Sequence, residues 1–169
     1  MINKIIFLFV TLFGIGKIKK IPGSVASLAT TIFLFFLLHI LKISPNFVLI
    51  FVIIIFLIAL YAVNIFIKNL DNKDPKEVVI DEFIGQSIPI CLYEIAHENT
   101  KEMSQILTAY FIMFILFRIF DIVKPYPVSY YDKNFKNSFG VIMDDVCAGL
   151  YVVAVLVLYM VISSWENFP

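Results

Sequence analysis

From Phe47 to Ile67 the chain carries no charged side chain, and that run alone decides much of what it can fold into. A bilayer core of about 30 Å takes about 20 apolar residues to cross as a helix. Inside it no water satisfies exposed backbone N–H and C=O groups, so a spanning segment of this kind is helical. The pattern recurs. Val25 to Leu41 is free of Asp, Glu, Lys and Arg; Val78 to Ala96 is interrupted by Asp81 and Glu82 near its start and by Pro89 in its middle. Ile106 to Val123 holds Arg118 and Asp121 near its end, and Val141 to Ile162 holds Asp144 and Asp145 near its start. With 61% hydrophobic residues and 15% charged, the chain lies well above the roughly 45 to 50% apolar content of soluble domains. The expected fold is all-α: a polytopic integral membrane helical bundle of about five membrane-embedded spans, in one domain covering residues 1–169. Pro89 is expected to kink its helix.

Ile5 to Phe13 is too short to span and has the look of a signal-peptide core. Gly14, Ile15, Gly16 and Lys17 follow in place of a small-x-small cleavage site, so the segment is expected to stay as an interfacial or re-entrant helix. The formal net charge of zero gives no sign of a nucleic-acid partner. Cys91 and Cys147 both lie in apolar runs and form neither a disulfide framework nor a zinc pair.

Alternate threading brings the charged clusters together. With Lys17, Lys19 and Lys20 in the cytoplasm, Lys68, Lys73, Lys76, Lys124, Lys133 and Lys136 also fall inside, and only Lys42 and Lys101 outside. Nine loop lysines against two is the bias of the positive-inside rule. The Asp81–Glu82, Arg118–Asp121 and Asp144–Asp145 clusters then lie at one depth at the cytoplasmic face. Ionised groups at helix centres cost about 2.5 to 3.5 kcal/mol each, so they tend to persist where they act.

Five carboxylates at close range need compensating cations. All-oxygen ligation suits a hard divalent ion, and Mg²⁺, which keeps several waters and grips phosphate, suits it better than zinc. Arg118 and Asp121 are three apart and share a helix face, with Lys124 on the same side before Pro125. Gly85 lies four residues after Asp81, and Gly149 four after Asp145, so small residues one turn from the acids are placed for close helix approach. Pro22, Gly23, Ser24, Val25, Ala26 and Ser27 sit where a basic loop becomes a helix, a seat for phosphate on free N–H groups.

Other chemistries lack their residues. His39 lies in an apolar span and His97 in an outer loop, away from the clusters; neither cysteine is followed six residues later by arginine; no Asp-x-Asp pair occurs. A phosphoryl reaction here would use metal-activated water, with charge neutralised by Mg²⁺, Arg and Lys. The competing reading is a small divalent-cation or proton transporter or channel. It is disfavoured because the outer halves of the spans read as almost purely apolar, only Thr108 and Tyr110 standing out between Ile106 and Phe117.

Four ordered blocks resemble the phosphatidylglycerophosphatase A family. They are Gly-x-Gly followed by Pro22 to Ala29, Asp81 to Gly85, Phe117 to Pro127, and Gly140 to Gly149. In the first, the family usually has Pro-Gly-Thr-x-Gly-Ser; here Ser24 keeps the hydroxyl and Ala26 replaces a glycine. The resemblance implies a single membrane-embedded phosphatase domain of the bacterial inner (cytoplasmic) membrane. It implies Mg²⁺-dependent hydrolysis of phosphatidylglycerol phosphate to phosphatidylglycerol and inorganic phosphate. Asp81, Glu82, Asp144 and Asp145 would bind metal, and Asp121 would complete the shell or orient water. Arg118 and Lys124 would hold the phosphate, with Ser24 and Ser27 contacting it more weakly. Asp74 is a lesser candidate.

Overall fold

The computed structural model describes residues 4–68, 70, 75–97 and 102–166, and these are helical with no strand among them. The helices are α1 (Lys4–Val10), α2 (Pro22–Phe35), α3 (Pro45–Ile67), α4 (Ile80–His97), α5 (Met103–Val123), α6 (Val128–Asn134) and α7 (Ser138–Glu166). Asp74 lies outside the described residues. Pro22–Ile40, Pro45–Ile67, Met103–Val123 and Ser138–Ile162 are each long and apolar enough to cross a membrane, in keeping with the bundle that the sequence predicts.

The fifth expected span, α4, is different in kind. It carries Asp81, Glu82 and Glu94 in 18 residues and packs against α2, α3, α5 and α7. Most of it is buried, including Ile80, Ile84, Ile90 and Cys91, so its acids face protein instead of lipid. The other spans turn large apolar side chains outward, as Ile53, Leu57 and Tyr61 do on α3. That is the arrangement of a membrane bundle around a polar-bearing central helix.

Two glycines set the crossing of α4 and α7. A Cβ on Gly149 would lie 2.3 Å from the Gly85 carbonyl oxygen, and one on Gly85 would lie 2.6 Å from the Asp145 carbonyl oxygen. Pro89 lies inside α4 and has no N–H to donate to the Gly85 carbonyl four residues back. That oxygen instead faces the bare α carbon of Gly149. Backbone contact at Gly85 and Gly149 thus draws the N-terminal halves of α4 and α7 together, with Asp81 one turn before Gly85 and Asp145 one turn before Gly149.

α2 continues beyond Phe35 as a π-helical turn, Phe36–Ile40. His39 on that turn meets Glu94 of α4 at 3.1 Å, both side chains 7% exposed. The far end of the bundle is therefore less purely apolar than the sequence suggests, because Glu94 lies in α4 and finds its partner 55 residues away. It stands twelve residues, about 18 Å of helix, from Glu82. Between the two ends the buried hydroxyls of Thr30 and Thr31 donate to the carbonyls of Ala26 and Ser27 within α2, and that of Ser87 to Phe83 within α4. These hydroxyls serve their own helices and form no chain from one end to the other.

α1 ends in a turn, and its last carbonyl, that of Val10, accepts from Val79 N–H at 3.0 Å. This seven-residue helix, too short to span, pins the segment that leads into α4.

Candidate active site

The start of α2, the starts of α4 and α7 and the end of α5 surround a cavity of about 590 Å³. Gly23 and Ser24, Asp81 and Glu82, Arg118 and Asp121, and Asp144 and Asp145 all line it, with Lys124 just beyond α5. The three clusters predicted to share one depth do meet. Lys19 and Lys76 line the cavity too; Lys76 was not singled out from sequence, since a lone loop lysine carries no spacing signal.

Asp81, Glu82 and Asp145 each offer a carboxylate oxygen within 4.8 Å of the others. Asp81 is 7% exposed and Asp145 3%. Asp81 and Glu82 occupy the first turn of α4, where the helix dipole favours negative charge. Glu82 Oε2 is buried with no protein partner among the described residues. Three carboxylate donors, with one oxygen left unmet by the protein, could hold a metal ion.

Asp144 lies in the cavity wall but outside that group. Its Oδ1 accepts from the Asp145 N–H at 3.0 Å, and its Oδ2 accepts from Lys124 Nζ at 2.9 Å. Lys124 also donates to Asp132 Oδ1 at 2.7 Å. Burial opposes the Lys124 charge, yet the hydrogen bonds and charges of Asp132 and Asp144 outweigh it and hold the ammonium above the ordinary lysine range. The cation is thus held at neutral pH. Asp132, on α6, is a partner that sequence reasoning missed: it follows Lys124 by eight residues, across a turn whose path no spacing rule gives.

Arg118 Nη1 reaches Asp121 Oδ2 at 3.0 Å and donates to Ser27 Oγ at 3.3 Å, so the shared helix face predicted for Arg118 and Asp121 is realised. Asp121 in turn sits against Asp145. Ser24 lines the cavity, whereas Ser27 is fully buried behind Arg118, its hydroxyl donating to Gly23 O at 2.9 Å. Ala26, where the family pattern has glycine, is also fully buried and outside the cavity lining. Because a single guanidinium nitrogen, Nη1, bridges Asp121 and Ser27 from a rigid planar group that an ammonium on a flexible stem does not reproduce, Arg118→Lys is expected to lower kcat/KM by about 10 to 100-fold, read from initial rates of phosphate release.

The backbone is held in unusual shape at this rim. Ile21 and Lys124 both take left-handed conformations, φ +49°. For a β-branched residue this costs about 1 to 3 kcal/mol, and it aims the chain into Pro22 and Gly23. A Cβ on Gly23 would lie 2.0 Å from Glu82 Oε1. Since only a side chain stands in the way, Gly23→Ala is expected to fold but to displace Glu82, with activity down about 100-fold and the thermal midpoint nearly unchanged.

The model of the phosphatidylglycerophosphatase A family matches residues 8–160. A phosphatidylglycerophosphatase A of Haemophilus influenzae is 37% identical over 144 residues, covering 85% of this chain and 82% of the relative. One of Escherichia coli is 28% identical over 153 residues, covering 90% and 81%. A putative phosphatidylinositol-3-phosphatase of Bacteroides thetaiotaomicron is 44% identical over 80 residues, 47% of this chain and 45% of the relative. No solved structure matches the chain. With the four sequence blocks folded around one acidic and basic cavity, and the family model running from α1 into α7, this chain belongs to the phosphatidylglycerophosphatase A family.

Proposed function

We propose that this enzyme hydrolyses the phosphate monoester of phosphatidylglycerol phosphate, releasing phosphatidylglycerol and inorganic phosphate, at the cytoplasmic face of a bacterial inner membrane. The observation that carries this reading is the meeting of Asp81, Glu82 and Asp145 within 4.8 Å in a cavity that also holds Arg118 and Lys124. Carboxylates alone would repel a phosphate; with a divalent cation between them and two fixed cations beside them, the cavity attracts one.

Asp81, Glu82 and Asp145 would hold Mg²⁺, which when bound supplies charge neutralisation at the phosphoryl oxygens and a water of lowered pKa. Arg118 and Lys124 face the remaining phosphoryl charge, and the N–H groups at the start of α2 add the positive end of its dipole. Asp121, fixed by Arg118, is placed to orient the attacking water and accept its proton. Asp144 fixes Lys124 and through it α6, which leaves Asp81, Glu82 and Asp145 as the primary metal set. Ser27 acts through Arg118, and Ser24 from the cavity wall. The excess of lysines in the loops on this side supports the cytoplasmic orientation.

Chelation should silence the purified protein and Mg²⁺ restore it, whereas Glu82→Gln should not recover on adding Mg²⁺. Full turnover in excess chelator would remove the metal from the account.

A further inference from the structure

Two exposed apolar side chains rim the polar cavity on one side. Ile21, at the start of α2, and Ile122, in the last turn of α5, both line it and are both 69% exposed. The neighbouring seam is shut: Phe120 of α5 stacks on Tyr151 of α7 at 5.1 Å, and the Tyr151 hydroxyl donates to the Tyr126 carbonyl. α2 and α4 are joined by Phe33 against Phe83. Along the α2–α5 seam, tied near the cavity by the Arg118 to Ser27 hydrogen bond and farther along by the Phe35–Tyr110 ring contact at 5.7 Å, an apolar groove of about 230 Å³ lies on the outer side, walled by Leu28, Ile32 and Phe35 of α2 and by Leu107, Phe111 and Phe114 of α5. Its register continues that of the cavity. Leu28 is one turn beyond Ser24, and Phe114 is one turn before Arg118. From Leu28 to Phe35 it runs about 10 Å into the apolar zone.

We infer that the substrate enters laterally between α2 and α5 and that one of its acyl chains lies in this groove while its phosphate occupies the cavity. The proposal rests on the lipid-phosphatase reading above. A head group bound at the helix ends must leave its chains in the hydrocarbon region, and the groove is an apolar space that begins one turn from the cavity on the same two helices. Ile32 is 61% exposed and Phe111 65%, so a chain can slide in from the bilayer without any helix moving apart.

The test is a groove-filling variant read as a ratio between substrates. Ile32→Trp is expected to raise KM for a long-chain phosphatidylglycerol phosphate about tenfold more than for a short-chain, water-soluble analogue with the same head group. Ile53→Trp, at a lipid-facing position of α3 that is 51% exposed, should leave that ratio as in wild type. In parallel, a long-chain substrate bearing a photoactivatable diazirine midway along one chain should label residues 28–35 and 107–114 in preference to α3. An unchanged ratio in Ile32→Trp, or labelling spread equally over α3, overturns the groove assignment while hydrolysis by wild type stands. Wild-type protein that releases no phosphate from either lipid overturns the hydrolysis reading, and with it the substrate's place in the groove.

Discussion

Asp145→Asn is expected to lower phosphate release from phosphatidylglycerol phosphate by about 10³-fold while leaving the bundle folded. Asp145 is almost wholly buried and stands within 4.8 Å of both Asp81 and Glu82. At an effective dielectric of about 20, two unit charges at that separation repel by about 3 kcal/mol. Without a cation the three acids therefore work against the fold, and they are kept close by the Gly85–Gly149 crossing. Asparagine keeps the volume and one carbonyl oxygen but removes a charge. Activity should collapse while the thermal midpoint in metal-free buffer holds or rises. A matched loss of both would mark Asp145 as a packing residue.

The second large effect concerns that crossing. Gly149→Ala puts a methyl group 2.3 Å from the Gly85 carbonyl oxygen. The obstacle is backbone, so no rotamer change relieves it, and the two helices must separate in a close-packed interior. The cost is expected to be about 3 kcal/mol or more, which for a chain of this size lowers the midpoint by about 10 °C. Thermal unfolding in detergent followed by circular dichroism measures it. The contrast with Gly23→Ala is informative, because there the added methyl meets the Glu82 side chain, so the catalytic arrangement fails before the fold does.

The apolar runs and their acids told most of the architecture in advance, because lipid leaves a backbone only helical solutions and because charges in such helices seek protein. Arg118 with Asp121, Gly85 with Asp81 and Gly149 with Asp145 were legible for the same reason: three- and four-residue spacings translate directly into shared helix faces. What spacing does not convey is azimuth. Ser27 reads as one more hydroxyl of a phosphate seat, yet the rotation of α2 buries it behind Arg118. Asp144 and Asp145 read as an equivalent pair, but adjacent residues on a helix point about 100° apart, and one turns to Lys124 while the other turns to Asp81 and Glu82. Glu94 finds its partner in His39, 55 residues away on a π-helical turn that no apolar pattern announces.

The measurement closest to the central claim is phosphate release from phosphatidylglycerol phosphate by the purified protein, with Mg²⁺ and in excess chelator, beside Asp145→Asn. Release that requires both the cation and the Asp145 carboxylate is the predicted result. Release by folded Asp145→Asn at the wild-type rate would contradict it, since the α4–α7 carboxylates could then not be the centre at which the phosphate is hydrolysed.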